Sequence, residues 1–398
     1  MRISPTLLLC AAVLFAGGCA EQAPLATPAP PLEAAAARAA PVIAGAYVVV
    51  TAPEADPAAV AASLGVAPAH VYRAALRGFA ARMGPGQLRA ARAHPAVRHV
   101  EADQVVFKQA TYVSPPWGLD RIDERALPLD GRLAIPDFTG AVNVYVIDAG
   151  LQPEHPEFAG NAQNVWDVFG GAGRDCNGHG VAVAGTIGST TYGVGGTKSV
   201  AGTVGGTPIS LKGVKVLDCN GRGTVSGFIA AVDWVRVHAQ RPAVVSLAVI
   251  TGYSSALNAA VDNLALSGVF VAVPAGDSGA DACNASPASA AEAFTVAASD
   301  RSDARWASSG FGACVDGYAP GVAVPTVGLN GGTQSVTGTS MSAAHVAGVA
   351  ALYKSRYGET SSRAIDSWIK TWSTPGVVTG SPRLTPNRLL YVGMDSWI

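Results

Sequence analysis

The stretch Gly338–Tyr353, GTSMSAAHVAGVAALY, reads as the body of a helix from Ser340 to Arg356, with a serine at its N-terminal end. Toward the N-terminus of the chain, strands and helices alternate. Val142–Ile147, Leu211–Leu217, Ala243–Val249 and Val269–Val273 read as strands, and Val225–Val237 and Ser255–Leu266 as helices. The strands are near-continuous apolar runs, as expected when helices cover both faces of a parallel sheet. No internal repeat interrupts the pattern. In folds of this kind functional groups sit where strands end and helices begin. Ser340 stands at such a place.

The chain has 398 residues, of which 49% are hydrophobic and 14% charged, and it carries 46 glycines. That balance suits a compact, loop-rich α/β protein and excludes a disordered or coiled-coil one. A formal net charge of −1 gives no electrostatic basis for a nucleic-acid partner. Residues 1–18 read as a bacterial-type export signal: Arg2, an apolar run Leu7–Phe15 too short to span a membrane, then the small residues Ala16, Gly17 and Gly18. Cys19 follows in a setting that resembles a lipobox, departing from it at Ala16. Cys19 is therefore a candidate for lipidation, which would be the chain's membrane attachment; a plainly secreted protein is the other reading. Residues 19–45, rich in Ala and Pro, read as a tether. Setting aside Cys10 and Cys19, the four cysteines Cys176, Cys219, Cys283 and Cys314 suggest two disulfides in an exported chain, with three pairings open. No CxxC or Cys-His spacing supports metal binding instead.

From Ala46 the texture changes. Ala46–Thr51, Gly78–Met83 and Val97–Asp103 read as extended, and Pro57–Leu64 and Gln87–His94 as short helices. Together they form a small βαββαβ-like unit over residues 46–109. The break Val113-Ser-Pro-Pro116 sets it off from the long remainder, with the second domain taken as residues 110–398.

Three residues occupy strand or helix ends in the larger part. Asp148 follows the strand VYVI in VYVIDAG, His179 opens a small-residue helix in DCNGHGVAVAG, and Ser340 opens the helix quoted above. Singly they read as a strand-terminal cap, a loop histidine and an N-cap. In the order Asp, His, Ser they spell a nucleophilic triad.

At this point a resemblance becomes specific. From about Trp117 to Val392 the chain resembles the subtilase family (peptidase family S8), in the branch similar to proteinase K and aqualysin. Matching runs include WGLDRIDERALPLDG, VYVIDAGL, DCNGHG, VKVLDCNGRG, SPAS, TVAASDRSDAR, GTSMSAAHVAGVAALY and PNRLLYVG. The segment up to Gln109 resembles that family's inhibitor I9-like propeptide, notably in GFAARM and HVEADQVV. The resemblance implies a three-layer subtilisin-like α/β fold with a mostly parallel central sheet, preceded by a small ferredoxin-like α+β propeptide domain.

It also implies roles. Ser340 would attack the peptide carbonyl, His179 would take its proton, and Asp148 would orient His179. Gly221, Arg222 and Gly223 would hold the peptide substrate on one side, and Ala248, Val249 and Ile250 on the other. Cys176–Cys219 and Cys283–Cys314 match the family pairing. A structural calcium ion is implied at Asp316 with the carbonyls of Ala291 and Ala293, and in some relatives at an acidic cluster like Asp120, Asp123, Glu124 and Asp130; no organic cofactor is implied. The propeptide would act as an intramolecular inhibitor, its tail near Phe107–Ala110 lying in the active site and cut around Gln109–Ala110. A monomer is expected, exported, with a protein or peptide substrate.

Several positions depart from the family pattern. The segment AVPAGDSG (residues 272–279) carries Asp277 where the family has an asparagine whose amide donates to the oxyanion. Ile250 and Thr251 stand where two glycines would line the specificity pocket, and branched side chains there would narrow it. Val181 and Ala182 replace a threonine and a histidine, Ala149 a threonine, Ala344 a proline, and Pro274 a small residue. The expectation is a serine endopeptidase of weak or narrow activity. A catalytically silent scaffold or binding protein with its propeptide retained is the alternative, and an esterase is disfavoured because no GxSxG elbow surrounds Ser340.

Overall fold

The computed structural model describes residues 42–73, 77–104, 109–113, 115–136, 138, 140–195 and 209–397. The export signal, Cys19, most of the tether, and Phe107 and Lys108 lie outside the described residues.

The N-terminal unit is β1 (Val42–Thr51), α1 (Pro57–Ser63), β2 (Pro68–Tyr72), β3 (Gly78–Arg82), α2 (Pro85–Ala93) and β4 (Val97–Gln104). Its strands form an antiparallel sheet in the order β2-β3-β1-β4. Val49, Phe79, Val60 and Ala91 are buried where the two helices meet the sheet. Two elements differ from the sequence reading. Strand β1 begins at Val42, inside the segment read as tether, because a register shift between Val42 and Tyr47 separates its first residues from the regular run. Strand β2 went unread; it starts at a proline and its first three residues are exposed, so it shows no alternation.

Strand β5 (Gln109–Val113) then pairs antiparallel with β6 (Arg132–Pro136), and α3 (Trp117–Ile122) lies between them in the chain. The central sheet follows: β7 (Val142–Asp148), β8 (Ala162–Asp167), α4 (His179–Gly188), β9 (Ile209–Lys215), α5 (Val225–His238), β10 (Ala243–Leu247), β11 (Thr251–Gly252), α6 (Ser255–Leu266), β12 (Phe270–Pro274), β13 (Ala285–Ser286), β14 (Phe294–Ser299) and β15 (Gly317–Pro320). After the hairpin β16 (Val324–Val327) and β17 (Thr333–Val336) come α7 (Thr339–Tyr357), α8 (Ser362–Trp372), β18 (Thr374–Pro375) and β19 (Arg388–Leu389).

Nine strands join in the order β18-β19-β15-β14-β12-β10-β7-β9-β8, all parallel except the β18–β19 pair. Alternation along each strand feeds two cores. In β7, Val142, Val144 and Val146 face α4, α7 and α8, while Tyr145 and Ile147 face α5 and α6. This is the three-layer α/β arrangement expected. Helix α7 sits in the middle of the first core, with 16 of its 19 residues buried. A helix with no solvent face must approach its neighbours closely on every side, which the run of Ala, Gly and Ser permits.

Candidate active site

Strand β7 ends at Asp148, whose carboxylate is fully buried. Helix α4 begins at His179, whose Nδ1 lies 2.9 and 2.8 Å from Asp148 Oδ1 and Oδ2. Glycine permits this approach: a Cβ on Gly180 would stand 2.2 Å from the carbonyl oxygen of Gly150. Asp175 fixes the loop before α4 by accepting from the backbone N–H groups of Asn177, Gly178 and Val181 at 2.8–2.9 Å. Burial disfavours the charged form of His179, but the Asp148 carboxylate, with Asp175 and Asp277 farther off, outweighs it and raises the imidazole pKa. The other histidine of this region, His345, is fully buried, and burial lowers its pKa to about 4. Its Nδ1 donates to the Met341 carbonyl oxygen at 2.8 Å, which favours the charged form less than burial opposes it, so the ring stays neutral within the core.

Ser340 stands in the first turn of α7 and is 8% exposed. Its Oγ donates to the Ala248 carbonyl at 3.0 Å. The structure therefore joins Asp148 to His179, and joins Ser340 to the segment after β10, rather than chaining all three by hydrogen bonds. Catalytic bonds of this kind are often loose before substrate arrives. Ala248 is buried, whereas Ile250 is 40% exposed.

Asp277 follows Gly276, which turns the chain off β12 with φ +101°. Its Oδ1 accepts from the Thr339 N–H at 2.9 Å and from the Thr339 hydroxyl at 2.7 Å, while that hydroxyl accepts from the Gly276 N–H at 3.1 Å. The carboxylate thus sits on the N-terminal end of α7, where the helix dipole favours negative charge. Its Oδ2 lies 2.9 Å from where a Cβ on Gly338 would stand, a point itself 3.9 Å from the Ser340 nitrogen. Thr339, which holds Asp277, escaped the sequence reading although it lies inside the quoted motif.

The neighbouring segments are held separately. The loop carrying Gly221, Arg222 and Gly223 is exposed, and Asp218 accepts from the Arg222 N–H at 2.9 Å. The disulfide Cys176–Cys219 links this loop to the one carrying His179, and Cys283–Cys314 forms as the resemblance implied. Thr251 and Gly252 pair with Ser286 and Ala285. A cavity of about 390 Å³ lies between this pair and the loop after β12, lined by Ile250, Thr251, Gly276, Ser278 and Asn284 among others. Ile250 Cδ1 stands 2.9 Å from where a Cβ on Gly276 would be, so its branched side chain does cover the opposite wall.

Two expectations need correction. The Gln109–Ala110 peptide is not at Ser340. It lies in β5 on β6, which packs against the turn Met394–Trp397. Tyr357, at the far end of α7, donates its hydroxyl to the Trp397 carbonyl. From Ser340 to Tyr357 the helix advances 17 residues (357 − 340), roughly 25 Å. The backbone pairing to β6 draws the segment away from the triad.

The second concerns calcium at Asp316. Its Oδ1 lies 2.7 Å from the Lys370 ammonium, and its Oδ2 accepts from the Thr295 N–H at 2.8 Å. A cation is already supplied, so Asp316 with the Ala291 and Ala293 carbonyls does not fit the ion. Burial opposes the charged form of Lys370, but Asp316 and Asp366 outweigh it and raise its pKa. The second acidic place is different. Asp120 and Asp123 are 5% and 4% exposed, and Oδ1 of each is buried without a hydrogen-bond partner. Burial, with Glu124, Asp130 and Asp120 nearby, pushes Asp123 up to about 8. Arg121, between them in sequence, is turned away to Asp303, at 2.6 and 3.0 Å. Among the described residues no three acidic, histidine or cysteine side chains converge to enclose a metal.

An aspartate–histidine pair beside a helix-terminal serine, on this three-layer sheet, defines the chain as a serine protease of subtilisin-like fold. Comparisons agree. Residues 139–387 match the Subtilase family and residues 55–109 match Peptidase inhibitor I9. The chain is 41% identical to the "Extracellular serine proteinase" of Thermus sp. (strain Rt41A), over 81% of this chain and 77% of that one. It is 40% identical to "Proteinase R" of Parengyodontium album, over 74% of each. It is also 40% identical to "Alkaline serine exoprotease A" of Vibrio alginolyticus, spanning 60% of that longer protein. The solved structure of a cold adapted subtilisin-like serine proteinase superposes with a TM-score of 0.65 at 40% identity, covering 70% of this chain and 98% of that one. The chain belongs to the subtilase family.

Proposed function

We propose that the chain is an exported serine endopeptidase that uses Asp148, His179 and Ser340. It cuts itself near Gln109–Ala110 and acts slowly or on a narrow range of peptides. The observation that carries this reading is the Asp148–His179 pair, bound at 2.8 and 2.9 Å beside the N-terminal end of α7. Ser340 Oγ leaves the Ala248 carbonyl, turns to the free nitrogen of His179 and attacks the peptide carbonyl as His179 takes its proton. Asp148 on Nδ1 keeps that nitrogen protonated and stabilises the imidazolium. The proton then passes to the leaving amine, and water releases the acyl group by the reverse sequence. An extended substrate lies between Gly221–Gly223 and Ala248–Ile250.

The negative charge formed on the substrate oxygen faces the Ser340 N–H and the end of α7. Asp277 brings a carboxylate to the same end. A missing donor there costs about 10²–10³ in rate, a figure known from subtilisin itself. Self-cleavage precedes the pairing of β5 with β6, since a paired Gln109–Ala110 bond is out of reach.

A calcium ion, if one binds, would be drawn to the acidic cluster of Asp120, Asp123, Glu124 and Asp130, where Oδ1 of Asp120 and of Asp123 is buried without a hydrogen-bond partner, with backbone carbonyls or water completing its shell. When bound it would supply charge to the α3 region and take no part in the chemistry.

The acceptor role of Asp277 and the bond from Ser340 to Ala248 also favour a second reading, a silent scaffold. The intact mass of the chain expressed without its signal, beside a Ser340→Ala version, separates the two. Loss of the segment ending near Gln109 in the first alone supports the peptidase. An uncut chain in both, folded and oxidised, supports the scaffold.

A further inference from the structure

The misfit at Asp316 has a structural author in helix α8. Its Lys370 reaches Asp316 Oδ1 at 2.7 Å and, one turn back, Asp366 Oδ1 at 2.7 Å. The same ammonium lies 5.6 Å from the centre of the Phe294 ring, immediately after the Ala291–Ala293 turn. Seven residues earlier on α8 (370 − 363), Arg363 grips Glu292 within that turn through two hydrogen bonds, the Nε–Oε2 one at 2.9 Å. The turn is further fixed by the Glu292 N–H donating to Asp262 at 2.8 Å. Two cations from one helix thus bracket the turn whose carbonyls would face an ion at Asp316.

We propose that Lys370 is a tethered cation that replaces a calcium ion at Asp316, making the Ala291–Thr295 turn independent of free calcium. A divalent ion needs several oxygens and an entry path. An ammonium within hydrogen-bonding distance of the carboxylate puts one positive charge on the oxygen that the ion would need. The lysine is also present at any calcium concentration, so chelators do not loosen this turn. Removing its side chain leaves Asp316 and Asp366 with no counter-charge, which is the setting an oxygen-seeking ion enters.

The test counts calcium ions by titration calorimetry on the full chain in its Ser340→Ala form. The chain is compared with added Lys370→Met, Lys370→Arg and Asp316→Asn. Lys370→Met should bind one more calcium per chain than its parent, in the sub-millimolar to millimolar range. Its thermal midpoint should gain a calcium response beyond the parent's. Lys370→Arg should match the parent, and Asp316→Asn should leave the parent's calcium count unchanged. A Lys370→Met chain that folds yet binds no extra calcium overturns the proposal. So does an Asp316→Asn chain that binds one fewer ion. If Lys370→Met does not fold, Lys370→Arg and Asp316→Asn decide alone. The count does not depend on activity, so it stands apart from the peptidase reading.

Discussion

His179 owes its basicity to three carboxylates. Burial alone would make it a weaker base, and Asp148 first, then Asp175 and Asp277, reverse that. Catalysis needs the neutral imidazole, so activity rises with pH as His179 loses its proton. Because the pKa is raised, the acid limb of kcat/KM should lie above the ordinary imidazole value of about 6.5. Removing the Asp277 charge should move that limb to lower pH, whereas a limb unchanged in Asp277→Asn would show that the aspartate is electrostatically remote. The triad was legible in the sequence because its members end a strand or open a helix within unmistakable motifs. The hold of Thr339 on Asp277 was not, since two residues 62 apart meet only in the folded chain.

Helix α7 gives the site its rigidity. Its buried face includes Ala347, Val349, Ala350 and Ala351, all with no exposed surface. Ala347→Leu adds three carbons to a filled core and should cost about 1–3 kcal/mol. Urea unfolding in a Ser340→Ala background, free of self-digestion, would measure it; an unchanged midpoint would mean that the packing around α7 is loose. At this scale the sequence was a good guide where apolar runs were long. Helix α6 was read with its observed ends, Ser255 and Leu266, and β7 and α7 to within a residue at each end. Strands β14 and β15 were not read, because FTVAAS and GYAP carry small residues in runs too short to show a period. Lys370 escaped for another reason. With Asp366 four residues before it, it reads as an ordinary surface pair on a helix.

Across the whole molecule, charged side chains meet partners far away in sequence, Asp277 at Thr339 and Lys370 at Asp316. If calcium enters at Asp120 and Asp123, a hundredfold excess over its Kd adds about 2.7 kcal/mol. That should raise the thermal midpoint by several degrees over chelator. Asp123→Asn should abolish the difference, and a calcium response that survives it would place the ion elsewhere. The disulfides, the mostly parallel sheet and the helix layers on both its faces all support the same cleft, and the sequence anticipated them through the family resemblance rather than through spacing, whereas it did not anticipate the order of the strands. What it anticipated less well is the direction of the chain's charges: one lysine where an ion was expected, and one aspartate turned to cap a helix. The most direct measurement is therefore the rate of peptide hydrolysis by the processed chain with aspartate or asparagine at position 277. Asparagine can keep its carbonyl oxygen on Thr339 and present an amide N–H where Oδ2 now stands, at the end of α7 that carries Ser340. Asp277→Asn should hydrolyse peptides about 10²-fold faster at neutral pH. A rate no higher than that of the native chain would contradict the account.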